Sequence, residues 1–154
     1  MSFVTTLLLL IYLYIPIPQP TIDQQIWFYA SLNNVDPKLS LAITRAETGN
    51  VPEHLRDTII SRGNYGRYQI LASTWKKHLG LKNSRELLNS TTNIRWGNYI
   101  LGKFQRRFAG KNGCRCGKKH HWTCHWNSGI VCNKHSEKFS RRVLYHLESI
   151  KRKR

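Results

Sequence analysis

The stretch DPKLSLAITRAETG, residues 36–49, predicts a helix that buries one face. Asp36 suits the N-cap position, and Pro37 has the fixed backbone angle that a first helical turn accepts. Gly49 ends the pattern at the other side. The apolar side chains between these ends recur every three or four residues and therefore line one face. They are Leu39, Ala42, Ile43 and Ala46.

Glu47 lies in the last turn of this predicted helix, at the margin of the apolar face. The C-terminus is the negative end of the helix dipole, which disfavours a carboxylate. Desolvation by the apolar neighbours acts in the same direction and raises the pKa. The position therefore suits a carboxylic acid that stays protonated near neutral pH, as a general acid must. A surface acid paired with Arg45 or Arg56 is the alternative interpretation.

Size and charge restrict the class of protein. The chain has 154 residues, which predicts one domain with a hydrophobic core. Lys and Arg total 25 against 8 Asp and Glu, so the formal net charge is +17. A field of this sign favours a polyanionic partner, either nucleic acid or an acidic surface such as a cell wall or anionic lipid.

The N-terminal sequence MSFVTTLLLLIYLYIPIPQP is apolar from Phe3 to about Ile17 and carries no charged side chain. It is shorter than the roughly 20 residues that span a bilayer and resembles the apolar centre of a secretion signal. Three prolines then end it, although a buried N-terminal helix or strand is the alternative. We predict a signal peptide or membrane anchor at 1–21 and a folded domain at 22–154. Export to the periplasm or cell envelope follows, with membrane contact through this segment.

Three further stretches complete the pattern of elements. Residues 61–75, SRGNYGRYQILASTW, predict a glycine turn, a short β-prone piece and a helix start at Ser73-Thr74. Residues 89–108 predict a helix with a basic outer face, in which Gly97 implies close packing against another helix. A terminal amphipathic helix is predicted from Phe139, Val143, Leu147 and Ile150.

Together, four short motifs in this order resemble the lytic transglycosylase domain of the lysozyme-like superfamily, which is related to goose-type lysozymes. The resemblance covers most of residues 36–145. A catalytic Glu followed by a hydroxyl residue corresponds to Glu47-Thr48. The other motifs are Gly66-Arg67-Tyr68-Gln69, the set Asn93, Ile94, Gly97 and Ile100, and Trp126-Asn127-Ser128-Gly129.

The resemblance implies a mainly α, lysozyme-like α+β fold, in which a helical bundle surrounds a central helix and a short β-like turn region lines a substrate cleft. It implies cleavage of the β-1,4 bond between MurNAc and GlcNAc in peptidoglycan, without a cofactor. Glu47 would act first as acid and then as base, leaving a 1,6-anhydro-muramyl end. The substrate-binding residues implied are Thr48, Gly66, Tyr68, Gln69, Trp126 and Asn127.

The chain also departs from the family pattern. The loop after Glu47 is longer and adds Glu53 and Asp57, while Arg67 and Tyr68 replace the usual Leu and Met. Trp126 stands where a Tyr hydroxyl is expected, and an indole stacks on a sugar but cannot hydrogen-bond as a phenol does. A second acid across the cleft would allow hydrolysis by a muramidase instead. Trp75 is assigned to the core rather than to sugar stacking.

A Cys/His-rich insertion is predicted at residues 110–135, where CRCGKKHHWTCHWNSGIVCNKH begins at residue 114. An exported protein with an even cysteine count favours two disulfides, and a structural zinc is the alternative. A catalytic metal is not expected, since the family chemistry needs none. The candidates for either role are Cys114, Cys116, Cys124 and Cys132.

The partners follow from these readings. Peptidoglycan glycan strands are the expected substrate, and the chain is expected to be a monomer. Small enzymes of this family often serve a conjugation or secretion system, or a phage, and that assignment rests on analogy. Nucleic acid is not expected, although a basic nucleic-acid-binding module with a zinc element is a competing class. A further competing class is a cell-wall-binding protein that keeps this fold but has lost the enzymatic activity.

Overall fold

A computed structural model describes residues 18–49, 51–109, 121–128 and 133–152. Helices dominate this part of the chain, so the predicted mainly α class is confirmed. The helices are α1 (Ile22–Leu32), α2 (Pro37–Thr48), α3 (Ala72–Trp75), α4 (Ser90–Phe108), α5 (Cys124–Ser128) and α6 (Lys134–Arg152), with 3-10 turns at Glu53–Thr58 and Ser84–Leu88. The short strands are β1 (Ile60–Ser61), β2 (Asn64–Tyr65) and β3 (Ile70–Leu71).

Helix α2 occupies the centre of the described structure. The Asp36 carboxylate accepts a hydrogen bond from the Lys38 amide at 2.8 Å, and Gly49 ends the helix with a φ of +51°. Both predicted ends are therefore confirmed. Burial extends beyond the predicted face, because Ser40, Leu41 and Thr44 are buried as well. A helix buried on several sides is surrounded by the others, and α1 and α6 both pack against it.

Helices α1 and α4 lie side by side in the same direction. The Thr91 hydroxyl donates to the side chain of Gln25 at 2.8 Å near their N-termini, and the Gln105 amide donates to the Asn34 carbonyl at 3.1 Å near their C-termini. Both helices contribute to the core that they share with α2, through residues that include Ile26 and Leu101.

The predicted turn region forms a three-stranded antiparallel sheet with the order β1-β2-β3. Ile60 pairs with Tyr65, and Asn64 pairs with Leu71. The following helix begins at Ala72, one residue earlier than predicted. Gly66 has a φ of +68°, and a Cβ there would lie 2.4 Å from the Asn93 amide nitrogen. Only glycine fits this position, because both the backbone angle and the space exclude a side chain.

Gly97 on α4 packs against a side chain rather than against another helix, which corrects the prediction. A Cβ at this position would lie 2.3 Å from Cγ of the Tyr68 ring. The absent side chain therefore leaves room for an aromatic ring between the turn region and α4.

Helix α6 buries the predicted apolar stripe, since Phe139, Val143 and Leu147 are buried and Ile150 is half-buried. It packs mainly on α2 and α5. Within the described ranges, no helix has both the length and the apolar character needed to cross a membrane. Residues 1–17 of the predicted leader lie outside the described residues.

Candidate active site

A cleft of about 580 Å³ opens where the end of α2 meets the sheet, α4, α5 and the start of α6. Polar and aromatic side chains both line it, so it offers a small ligand apolar surface and hydrogen-bonding groups. Its lining includes Glu47, Ser61, Asn64, Gln69, Ile70, Leu71, Thr74, Trp75, Ile100, Phe104, Trp126, Asn127, His135 and Arg142.

Glu47 reaches this cleft from the last turn of α2 and is itself half-buried. Burial raises the pKa of its carboxyl group to about 7, while the hydrogen bond from Trp126 and the charge of Arg142 hold it lower than burial alone would. The raised pKa agrees with the predicted effect of desolvation by neighbouring residues. Glu47 does not pair with Arg56, which contacts Glu53 at 2.9 Å instead. Near neutral pH, a large fraction of Glu47 is therefore protonated.

Trp126 on α5 donates its indole N–H to Oε1 of Glu47 at 2.7 Å. The indole is fixed by edge-on contacts with Tyr68 and Phe104, whose ring centroids lie 6.3 and 6.2 Å away. From the sequence, Trp126 was predicted to stack on a sugar, and its role as a hydrogen-bond donor to Glu47 was not predicted. An N–H donor favours the ionised form of the carboxyl group and fixes its orientation.

Glu47 is the one acidic side chain among the described residues that line the cleft. All eight acidic residues of the chain fall within the described ranges, and among them only Glu47 lines the cleft. The two acids of the longer loop are bound elsewhere. Arg67 donates to both oxygens of Asp57 at 3.0 and 2.9 Å and also contacts Glu53. Neither acid is placed to act as a base on a substrate bound beside Glu47.

This ion-pair cluster explains two departures from the family pattern together. The Arg67 side chain is 1% exposed, so its charge requires buried partners. Asp57 supplies a bidentate contact and also accepts a hydrogen bond from the Ser90 hydroxyl at 2.9 Å. The acids of the longer loop and the arginine in the glycine turn therefore stabilise each other.

Three predicted or considered residues line the cleft beside Glu47. Gln69 has a φ of +47° and donates its side-chain N–H to the Gly66 carbonyl at 2.8 Å, so its amide is held in place. Its side-chain oxygen accepts no hydrogen bond within the described residues, so a ligand N–H in the cleft could donate to it. Asn127 is exposed at the rim. Trp75, assigned to the core, is half-buried and contributes to both core and cleft.

Three other predicted binding residues do not line the cleft, and each has a structural role. The Thr48 hydroxyl is buried and donates to the Thr44 carbonyl at 2.7 Å. Gly66 provides the tight turn against Asn93. Tyr68 is completely buried, and its hydroxyl joins Ser40 and Asn98 in a closed set of hydrogen bonds of 2.6 to 3.0 Å. Tyr68 therefore has a structural role in place of the substrate-binding role that the resemblance implied.

Several residues that line the cleft were not predicted from the sequence. His135 and Arg142 line the cleft from α6, and Ser61, Asn64 and Thr74 line it from the sheet and α3. The amphipathic spacing of α6 predicted its buried face. It could not predict which polar side chains of α6 line the cleft beside Glu47, because that depends on the angle at which α6 crosses α2.

The Cys/His-rich insertion is described only at 121–128 and 133–135. Cys124 is fully buried at the start of α5 and is disulfide-bonded. Cys114, Cys116 and Cys132 lie outside the described residues, so the pairing stays a prediction. In the part of the chain that the structure describes, no group of three or more His, Cys, Asp or Glu side chains could hold a metal ion.

No family model, curated protein or solved structure matches the chain. The function must therefore be inferred from the chemistry of the cleft.

Proposed function

We propose that this protein is a peptidoglycan lytic transglycosylase that cleaves the β-1,4 bond between MurNAc and GlcNAc. The observation that carries the proposal is the lone carboxyl group of Glu47, which lines the cleft with a pKa of about 7. A group with this pKa is protonated often enough to act as an acid and ionises readily enough to act as a base. The lysozyme-like character of the fold belongs to the same proposal.

A single carboxyl group is sufficient for the two steps. In the first step, Glu47 donates its proton to the glycosidic oxygen, and the C1–O4 bond breaks. In the second step, the resulting carboxylate removes the proton from the 6-hydroxyl of the muramyl residue, whose oxygen bonds to C1. The proton is returned to Glu47, and the product carries a 1,6-anhydro ring without any water being consumed. The Trp126 N–H would stabilise the carboxylate that exists between the steps.

The remaining cleft residues suit an N-acetylated sugar. Gln69 presents a fixed amide, Asn127 presents a second one at the rim, and Trp75 adds apolar surface on which a sugar ring packs. Hydrolysis by a second carboxylate is less well supported, because Glu53 and Asp57 are bound to Arg67 away from the cleft. An envelope location, with residues 1–21 as leader or anchor, follows from the proposed substrate.

Incubation of the purified full chain with peptidoglycan tests the proposal by mass analysis of the released fragments. We expect fragments with anhydro-muramyl ends, and a loss of at least about a thousandfold in rate for Glu47→Gln. Glu148→Gln is the matched control, because Glu148 is exposed and pairs only with Lys151 at 3.2 Å. Reducing ends would instead assign hydrolysis, and an unchanged rate in Glu47→Gln would refute the assigned acid.

A further inference from the structure

Arg142 is a cleft residue that the proposed chemistry leaves unexplained. It lines the cleft together with Glu47 and extends from α6, seven residues or about two turns after His135, which lines the same cleft. The guanidinium carbon lies 5.6 Å from the centre of the Phe139 ring on the preceding turn. At this distance the guanidinium group has a cation–π contact with the ring.

Arg142 forms no ion pair with an acidic side chain in the described part of the chain. All eight Asp and Glu residues fall in these ranges, and the ion pairs there involve other basic residues. Arg45 on α2 likewise has no ion pair within these residues, whereas Arg56 is partly neutralised by Glu53. Glu47 gives little compensation, because the carboxyl group must be protonated when the proposed reaction begins.

Arginines from three elements contribute positive charge near His146. His146, one turn after Arg142 on α6, has its pKa lowered first by burial and then by the charges of Arg45, Arg142 and Arg56. His146 is therefore mostly neutral at pH 7, and the positive charge is held by guanidinium groups. Guanidinium groups bind carboxylates through two parallel hydrogen bonds, which makes them selective for a planar anion.

We propose that Arg142 forms an anion subsite of the cleft that binds a carboxylate carried by the muramyl residue. This inference rests on the proposed function and adds what the substrate must carry. The carboxylate can belong to the lactyl ether of a stem-free strand or to the peptide attached there, and both present the same chemistry to a guanidinium group. Binding at Arg142 places the charged substituent beside the bond that Glu47 attacks.

The test compares three glycan strands of equal length: stem-free strands, peptide-bearing strands, and stem-free strands whose carboxylates are converted to neutral methylamides. For Arg142→Gln in the full chain, we expect KM to rise about tenfold on a carboxylate-bearing strand and to stay unchanged on the methylamide. Arg142→Lys should keep part of the difference. Arg141→Gln is the control, because Arg141 is exposed on α6 and does not line the cleft.

The two carboxylate-bearing strands identify the source of the anion, since the larger KM effect occurs on the strand that supplies it. An equal KM change on the methylamide and on the charged strands would overturn the inference, as would no change on any of them. A change in kcat common to all three strands reports only the influence of Arg142 on the pKa of Glu47.

A binding measurement separates this inference from the proposed reaction. The Glu47→Gln protein is titrated with the stem-free strand and with its methylamide, and dissociation constants are compared with those of Glu47→Gln/Arg142→Gln. A preference for the charged strand that requires Arg142 supports the subsite even if the wild-type chain cleaves neither strand. Equal affinity for both strands would refute the subsite while leaving the cleavage chemistry intact.

Discussion

Opposing influences of different size set the pKa of the Glu47 carboxyl group. Burial disfavours the charged carboxylate and has the larger effect, so the pKa rises from 4.5 to about 7. The indole N–H of Trp126 and the charge of Arg142 favour the carboxylate and limit that rise. The group can therefore lose and regain a proton in the same cycle, whereas burial without these partners would leave it a poor base.

Removing the indole donor should move the pH dependence of activity. In Trp126→Phe, the ionised form of Glu47 loses a hydrogen bond, so its pKa rises by about one unit. Activity requires the protonated acid and falls as pH rises through this pKa, so the alkaline limb of the kcat/KM profile should move to higher pH. The matched control is Trp96→Phe, since Trp96 is half-buried outside the cleft. A limb that stays in place, or moves to lower pH, would contradict the role assigned to Trp126.

Sequence reasoning reached Glu47 because the relevant causes are local: its helix position, its apolar neighbours and the glycine that follows. The Trp126 contact joins residues 79 positions apart, and nothing in the local pattern specifies it. Tyr68 was misassigned for the same reason. Its partners Ser40 and Asn98 are 28 and 30 residues away, and its burial depends on the space left by Gly97.

At the scale of elements, Tyr68 connects the turn region to two helices. Asn98 on α4 donates to the Tyr68 hydroxyl, which bonds Ser40 on α2, and the Ser40 hydroxyl donates back to Asn98. Each polar atom in this closed set has a partner, so burial of the three side chains carries little penalty. The set joins the turn region to α2 and α4, and Gln69 of the turn region and Glu47 of α2 line the same cleft.

Gly97→Ala should disrupt this connection. An alanine favours the helix by about 1 kcal/mol, but its Cβ would overlap the Tyr68 ring, which has no room to withdraw. We expect a net loss of about 1 to 3 kcal/mol in the free energy of unfolding, measured with urea. Arg95→Ala, on the exposed side of α4, should be near neutral. A stabilised Gly97→Ala protein would show that the ring does not occupy this space.

The Arg67 cluster consists of Arg67, Glu53 and Asp57. Replacing Arg67 alone should cost more stability than replacing all three residues together. Arg67→Leu leaves Asp57 buried without a counter-ion and should cost about 3 to 5 kcal/mol in urea unfolding. The triple variant Glu53→Gln/Asp57→Asn/Arg67→Leu removes the charges together and should recover most of this loss. Arg85→Leu, the same change at an exposed position, is the control. Equal losses in the single and triple variants would show that Arg67 acts through packing rather than charge.

Several of the few acidic side chains do not offset the positive charge of the basic surface residues. Of the eight acids, Glu53 and Asp57 are committed to Arg67, and Glu47 is largely uncharged near its pKa of about 7. Basic residues on the outer face of α4, including Arg95 and Lys103, therefore have little to neutralise them. A chain with a formal charge of +17 has a positive surface potential that attracts acidic polymers.

Under the proposed function, this surface potential predicts that binding to peptidoglycan depends on salt. The Glu47→Gln variant, which should leave its substrate intact, is mixed with insoluble peptidoglycan and sedimented at increasing salt concentrations. The Debye length falls from about 10 Å at 0.1 M to about 3 Å at 1 M salt, so the bound fraction should fall steeply across this range. Chitin is the control polymer, because it offers the same acetamido sugar without carboxylates and should retain only the salt-insensitive contacts of the cleft. If retention on peptidoglycan is as insensitive to salt as retention on chitin, the net charge serves solubility, and recognition of the wall lies in the cleft alone.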